Sequence, residues 1–205
     1  EIGIAAIDCG ADAVYIAGPQ FGARQAAGNS IEDIRQLCTY AHRFGARIFV
    51  ALNTILYDDE LEAAYRQMLE VQDAGVDALI IQDMAVLEMA RRGIGNLREE
   101  IRIPLHASTQ CAIRTPEQAV FLESLGFSRL ILERELSLEQ IKAIREAVTC
   151  ELEFFVHGAL CVCYSGQCYL SEKIAGRSAN RGACIQACRS LYDLVDGTGK
   201  VLVKN

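Results

Sequence analysis

Five cysteines crowd into residues 161–188 of this 205-residue chain: Cys161, Cys163, Cys168, Cys184 and Cys188. Their spacing is C-x-C-x4-C-x15-C-x3-C, with no C-x2-C pair, so the zinc-ribbon and zinc-finger patterns do not match. The residues between them are small and flexible: Gly158, Ser165, Gly166, Gly176, Ser178 and Gly182. Such residues let a backbone wrap closely and turn its N–H groups toward sulfide. Four thiolates on an irregular loop of this kind suit a [4Fe–4S] cluster, and with five candidates Cys163 is the one set aside. Within 172–189, Lys173, Arg177, Arg181 and Arg189 stand against a single acid, Glu172. These cations would offset the charge of a thiolate-bound cluster and lower the thiol pKa values; the plainer reading is a solvated loop face. The competing reading of the thiols is that they are buried or redox-active. Cys9, Cys38, Cys111 and Cys150 lie in helical or strand-edge contexts and are expected to pack.

A second group of polar residues follows short β-rich runs. The runs are 12–17, 47–52, 77–82, 103–107, 128–132 and 151–156, recurring every 23–35 residues, which is the period of a βα unit. They end in Gly18 with nearby Arg24, Asn53-Thr54, Gln82-Asp83, His106 to Gln110, Glu133-Arg134 and His157-Gly158. In a (β/α) barrel the active site lies at those strand ends, so the set predicts a polar small-molecule pocket. Helix capping competes for Asn53, Asp83 and Ser137, and a satisfied core histidine competes for His106. Glu133 and Arg134 alternate faces, so both cannot point inward.

The helices between the runs carry start and stop signals. Asn29-Ser30 with Glu32 and Asp33 opens a helix toward His42 that Gly45 ends. Asp58/Asp59 opens another, with Leu61, Tyr65, Met68 and Leu69 on one face, closed by Gly75. Thr115-Pro116-Glu117 starts a third, and Ser137 with Gln140 forms a capping box for a fourth. The expected fold is therefore an α/β, TIM-barrel-like domain over 1–158 that supplies strands 2–7, its first strand missing before residue 1. A cysteine-rich iron–sulfur segment follows over 159–190. Residues 191–205 read as the start of a β-hairpin or of a following domain around Asp196-Gly-Thr-Gly199, and the chain as a fragment.

Composition limits the function classes. Hydrophobic residues make up 51% and charged residues 23%, which is globular composition, and no apolar run reaches a membrane span. An odd cysteine count, nine, and no signal segment argue against a secreted disulfide scaffold and for the cytoplasm. The formal charge of −7 is uneven: residues 1–150 hold 22 acids and 14 bases, residues 151–205 hold 5 and 6. The acidic balance counts against extensive nucleic-acid binding by this segment alone.

Glu153-Phe-Phe-Val-His-Gly-Ala-Leu-Cys161, then Tyr164-Ser-Gly-Gln-Cys168-Tyr-Leu-Ser171, resembles the signature of peptidase family U32, the collagenase-like proteases. Asn180-Arg-Gly-Ala-Cys184 with Gln186-Ala-Cys188-Arg189 is similar to its continuation. Gly10 to Tyr15, His106 to Gln110 and Arg134 to Leu138 are similar to upstream family motifs. The resemblance implies a TIM-barrel-like domain and a peptidase label. It also implies oxygen-independent hydroxylation of tRNA, ribosomal RNA or ubiquinone with a [4Fe–4S] cluster, with prephenate as hydroxyl source in the RNA cases. Carried over by motif, Cys161, Cys168 and Cys184 are ligands. The fourth is Cys188 in one family pattern and lies beyond residue 205 in another.

Arg24, Asn53, His106, Arg134, Glu153 and His157 are then the candidate catalytic groups, with His106, Arg24 and Arg134 available to hold an anionic donor. Arg177, Arg181 and Arg189 are candidates for cofactor or phosphate. Proteolysis lacks visible machinery: the sequence has no H-E-x-x-H and no G-x-S-x-G, and only His157 near Cys161 offers a nucleophile pair. The favoured expectation is cluster-dependent hydroxylation of an RNA base. The alternatives are the peptidase, a ubiquinone-biosynthesis hydroxylation protein, or a non-catalytic cluster-bearing subunit paired with a family paralogue.

Overall fold

A computed structural model describes residues 1–23 and 28–204. Six strands form one parallel sheet in chain order: β1 Ala13–Ala17, β2 Arg47–Leu52, β3 Ala78–Ile81, β4 Leu105–Ala107, β5 Arg129–Ile131 and β6 Glu151–Glu153. Strands in sequential order joined by helices are the wiring of a (β/α) barrel. The sheet is strongly curled. Tyr15 of β1 donates its hydroxyl proton to Glu153 of β6, although the two belong to the first and last strands of the sheet. The helices are α1 Ile2–Asp8, α2 Ile31–His42, α3 Leu61–Asp73, α4 Met84–Arg92, α5 Pro116–Ser124, α6 Leu138–Ala147 and α7 Leu170–Ala175. A two-stranded antiparallel hairpin, β7 Leu194–Val195 and β8 Val201–Val203, closes the chain; Asp196 Oδ1 accepts from Thr198 N and Lys200 N at 2.8 and 3.0 Å, shaping its turn.

The helix signals act as the side chains dictate. Ser30 Oγ accepts from Asp33 N (3.1 Å) and Asp33 returns the favour to Ser30 N (3.3 Å); Thr115 with Gln118 and Ser137 with Gln140 form the same reciprocal box. Each such cap contributes about 1 kcal/mol. Asp83 caps α4 through Ala85 N at 2.9 Å. Three expectations change. β2 matches its run, the other five strands are shorter than theirs, and β6 stops at Glu153, leaving 154–156 outside the ladder. The cysteine segment is not irregular throughout, because α7 lies inside it. Cys9 is exposed at the end of α1, whereas Cys38 is buried and Cys111 and Cys150 pack on the core as expected.

Alternation along the strands sorts two faces. Ile48, Val50, Leu52, Leu79, Ile81, Leu130 and Leu132 join the helices in the main core. The opposite, inward positions make a small separate cluster of Phe49, Ala78, Ile80 and Ile131. The inward face also carries Tyr15, His106, Arg129, Glu151 and Glu153, and these set up the site. Among the described residues no helix is long and apolar enough to cross a membrane.

Candidate functional site

The lumen of the curl holds a charged brace. Arg129 donates from Nε to Glu151 (2.9 Å) and from Nη1 to Glu153 (3.1 Å) and Tyr15 (3.3 Å). The Phe49 ring packs against Tyr15 at 5.2 Å, His106 at 4.8 Å and the Arg129 guanidinium at 5.0 Å. Glu153, a candidate catalytic group, is thus held by an arginine and a tyrosine from across the sheet. Tyr15 and Arg129 were missed because neither follows a strand end; inward alternation in 12–17 and 128–132 was the available signal.

His106 is 5% exposed, and its Nδ1 has no hydrogen-bond partner. Burial, then the nearby Arg129, pushes its pKa down to about 4. The ring is neutral near pH 7 and brings no cationic charge to an anionic donor. A depressed histidine pKa destabilises the fold in acid, because the unfolded chain takes the proton from about pH 6.5 downward and the folded one only near 4. Urea denaturation at pH 5 is therefore expected to show about 2 kcal/mol less stability from this group than at pH 7.5. The same comparison in His106→Gln should lack that increment; an equal loss in the variant would contradict the assignment.

Above this layer the strand ends form a polar rim. Asn53 donates from Nδ2 to Ser108 Oγ (3.0 Å) and accepts from Ala23 N (2.9 Å), so it ties β2, β4 and the β1 loop together and does not cap a helix. Gln82 Nε2 donates to Gln110 O at 3.3 Å, and its Oε1 is buried without a partner. Beside the end of β1, Gly18, Gly22, Thr54, Glu60 and Arg181 line a pocket of about 220 Å³. Arg24 lies outside the described residues.

The cysteine segment sits on this rim. Arg134 Nη2 donates to Ser165 Oγ (2.9 Å) and Nη1 to Ala159 O (3.4 Å). Arg181 is paired bidentately with Glu60 (2.6 and 2.9 Å), donates to Ile55 O (2.6 Å) and lies over the Tyr57 ring at 3.9 Å. Arg189 donates to Leu160 O. Arg134, Arg181 and Arg189 therefore act as struts, while Arg177 and His157 are exposed. At Gly166 (φ +73°) an added Cβ would stand 2.1 Å from Gln110 O. Gly166→Ala is expected to unseat this turn, at about 1–3 kcal/mol of strain and clash. Limited proteolysis should then cleave within 159–168 faster while far-UV circular dichroism stays unchanged; wild-type cleavage would contradict the close fit.

All nine cysteines are free. Cys163 has its pKa raised by burial first, then by the neighbouring Cys168 and Cys161. Cys184 Sγ accepts from Gln186 N (3.4 Å) and Ser171 Oγ (3.8 Å), donors of the kind that stabilise a thiolate. In donor type the set fits a thiolate-bound cluster. Its assembly would have to draw the sulfurs together, because among the described residues no three Cys, His, Asp or Glu side chains are gathered for a metal.

The family model for peptidase family U32 matches residues 1–204. The chain belongs to that family. This U32 chain is 57% identical over 193 residues to the 23S rRNA 5-hydroxycytidine C2501 synthase of Escherichia coli (strain K12), covering 94% of this chain and 28% of that protein. It is 35% identical over 195 residues to tRNA hydroxylation protein P1 of Bacillus subtilis (strain 168), covering 95% and 45%. The chain thus spans less than half the length of either relative. The solved structure of the U32 peptidase Mk0906 superposes with a TM-score of 0.58 at 21% identity, over 74% of this chain and 63% of that one, which shows a shared fold.

Proposed function

We propose that this U32 chain is the barrel and cysteine-bearing part of a cytoplasmic enzyme that hydroxylates a base of RNA, a cytidine of ribosomal RNA foremost. The single observation that carries this reading is the 57% identity, across 94% of the chain, to a 23S rRNA 5-hydroxycytidine synthase. In this reading residues 1–158 form the barrel, 159–190 the cluster-binding segment, and 191–205 the hairpin segment.

We assign Cys161, Cys168, Cys184 and Cys188 as the thiolates that would hold a [4Fe–4S] cluster, which would supply electron transfer. Prephenate is the proposed hydroxyl source. The chain's own part is to position: Arg134 and Arg181 seat the cysteine segment over the strand ends, Asn53 and Ser108 hold the rim together, and His106 presents a neutral ring below it. The exposed Arg177 is free to meet phosphate. The peptidase reading lacks an assembled pair, since among the described residues no histidine is hydrogen-bonded to a serine or cysteine; the one paired histidine, His42, contacts Asp77 at 3.0 Å.

Mass spectrometry of nucleosides and quinones from a strain deleted for the gene tests the reading. A hydroxylated cytidine missing from ribosomal RNA is expected. Unaltered RNA with a missing quinone hydroxyl would overturn it.

A further inference from the structure

Glu133, just beyond β5, is 0% exposed, and neither carboxylate oxygen has a well-formed hydrogen bond. A buried charge of that kind costs several kcal/mol unless it is compensated. Its compensation is Arg114, whose Nε lies 3.3 Å away. Burial raises the carboxyl pKa and Arg114 opposes the rise; the backbone N–H of Ser165 also faces it. The surroundings explain why a buried acid is kept. Arg114 lies over the Tyr164 ring at 4.3 Å, and Arg134 donates to Ser165 Oγ at 2.9 Å. Two guanidinium groups thus reach adjacent residues of one turn, and Glu133 is the negative charge that both of them face. Gly166, the next residue, rests on Gln110 O. Tyr164, Ser165 and Gly166 are three of the four residues separating Cys163 from Cys168.

We infer that Glu133 is a positioning residue: with Arg114 and Arg134 it forms a charged pedestal under the 164–166 turn. That pedestal sets the separation and exposure of Cys163 and Cys168 at the barrel mouth. The inference concerns the thiols whatever they bind, so it goes beyond the proposed hydroxylation and stands or falls apart from it.

The test is the rate of iodoacetamide alkylation at each cysteine in the cluster-free, full-length protein, read by peptide mass spectrometry. Glu133→Gln keeps the side-chain volume and removes the charge. It is expected to raise the rates at Cys163 and Cys168 about tenfold, as the turn lifts and exposes both thiols. Arg114→Gln should act on the same two residues, while Glu60→Gln, at the Arg181 strut, should leave both at the wild-type rate. Wild-type rates at Cys163 and Cys168 in Glu133→Gln would overturn the inference. So would an equal acceleration at buried Cys38, because that is general loosening and not a seat under one turn.

Discussion

Cys168→Ala in the full-length protein, purified without oxygen, is expected to lose its iron. The wild type should carry about four iron and four acid-labile sulfide per chain, the content of one [4Fe–4S] cluster, and the variant less than about one of each. Cys168 is half-buried at the end of the turn that Arg134 and Gly166 seat on the rim, with Cys163 as its neighbour and Cys184 held to α7 through Ser171. Losing it removes a thiolate from the segment's best-anchored part. Alanine is the right replacement, since a serine hydroxyl can still ligate iron. Cys163→Ala is expected to keep its iron, because five thiols serve four places, and Cys9→Ala should keep it as well. A Cys168→Ala protein with full iron and an unchanged visible spectrum would sink the ligand assignment; iron lost from Cys163→Ala instead would hand the place to that thiol.

The second large effect is on stability. Phe49→Ala is expected to cost about 3–5 kcal/mol, measured by urea denaturation at pH 7.5. Phe49 is fully buried, yet it belongs to the small lumen cluster and not to the main core. Its ring touches Tyr15, His106 and the Arg129 guanidinium, so truncation opens a cavity inside a polar layer. A cavity with polar walls admits water, unlike a dry one. The pKa of His106 should then move back toward its ordinary value, and the acid-dependent loss of stability shrink with it. The exposed Phe121 is the control, with an expected change within about 0.5 kcal/mol for Phe121→Ala. A cost below about 1.5 kcal/mol for Phe49→Ala would mean that the lumen is not packed as described.

Much of the architecture was readable because it rests on short-range rules. Ser30, Thr115 and Ser137 begin helices since their hydroxyls reach an N–H three residues on, a contact within one turn. Gly75 ends α3 in a left-handed conformation (φ +91°) next to the strand that follows. The pleat has period two, so 47–52 alternates into a helix-side Ile48, Val50 and Leu52 and a lumen-side Phe49. Helix α7 went unread because it is six residues long and has no side-chain cap, leaving its start no signal beyond a few apolar residues.

By itself, then, the sequence determined the βα order, the caps and the clustering of five thiols on one segment. Each of these depends on neighbours a few residues apart. The tertiary structure alone decided which polar groups meet. Glu153 is claimed by Tyr15 from 138 residues away and Arg181 by Glu60 from 121, so a candidate catalytic carboxylate became a brace and a candidate phosphate ligand became a strut. The physical reason is the curl of the sheet. It carries strand ends that are remote in sequence into one small volume, and only there does each charge find the partner that fixes its role.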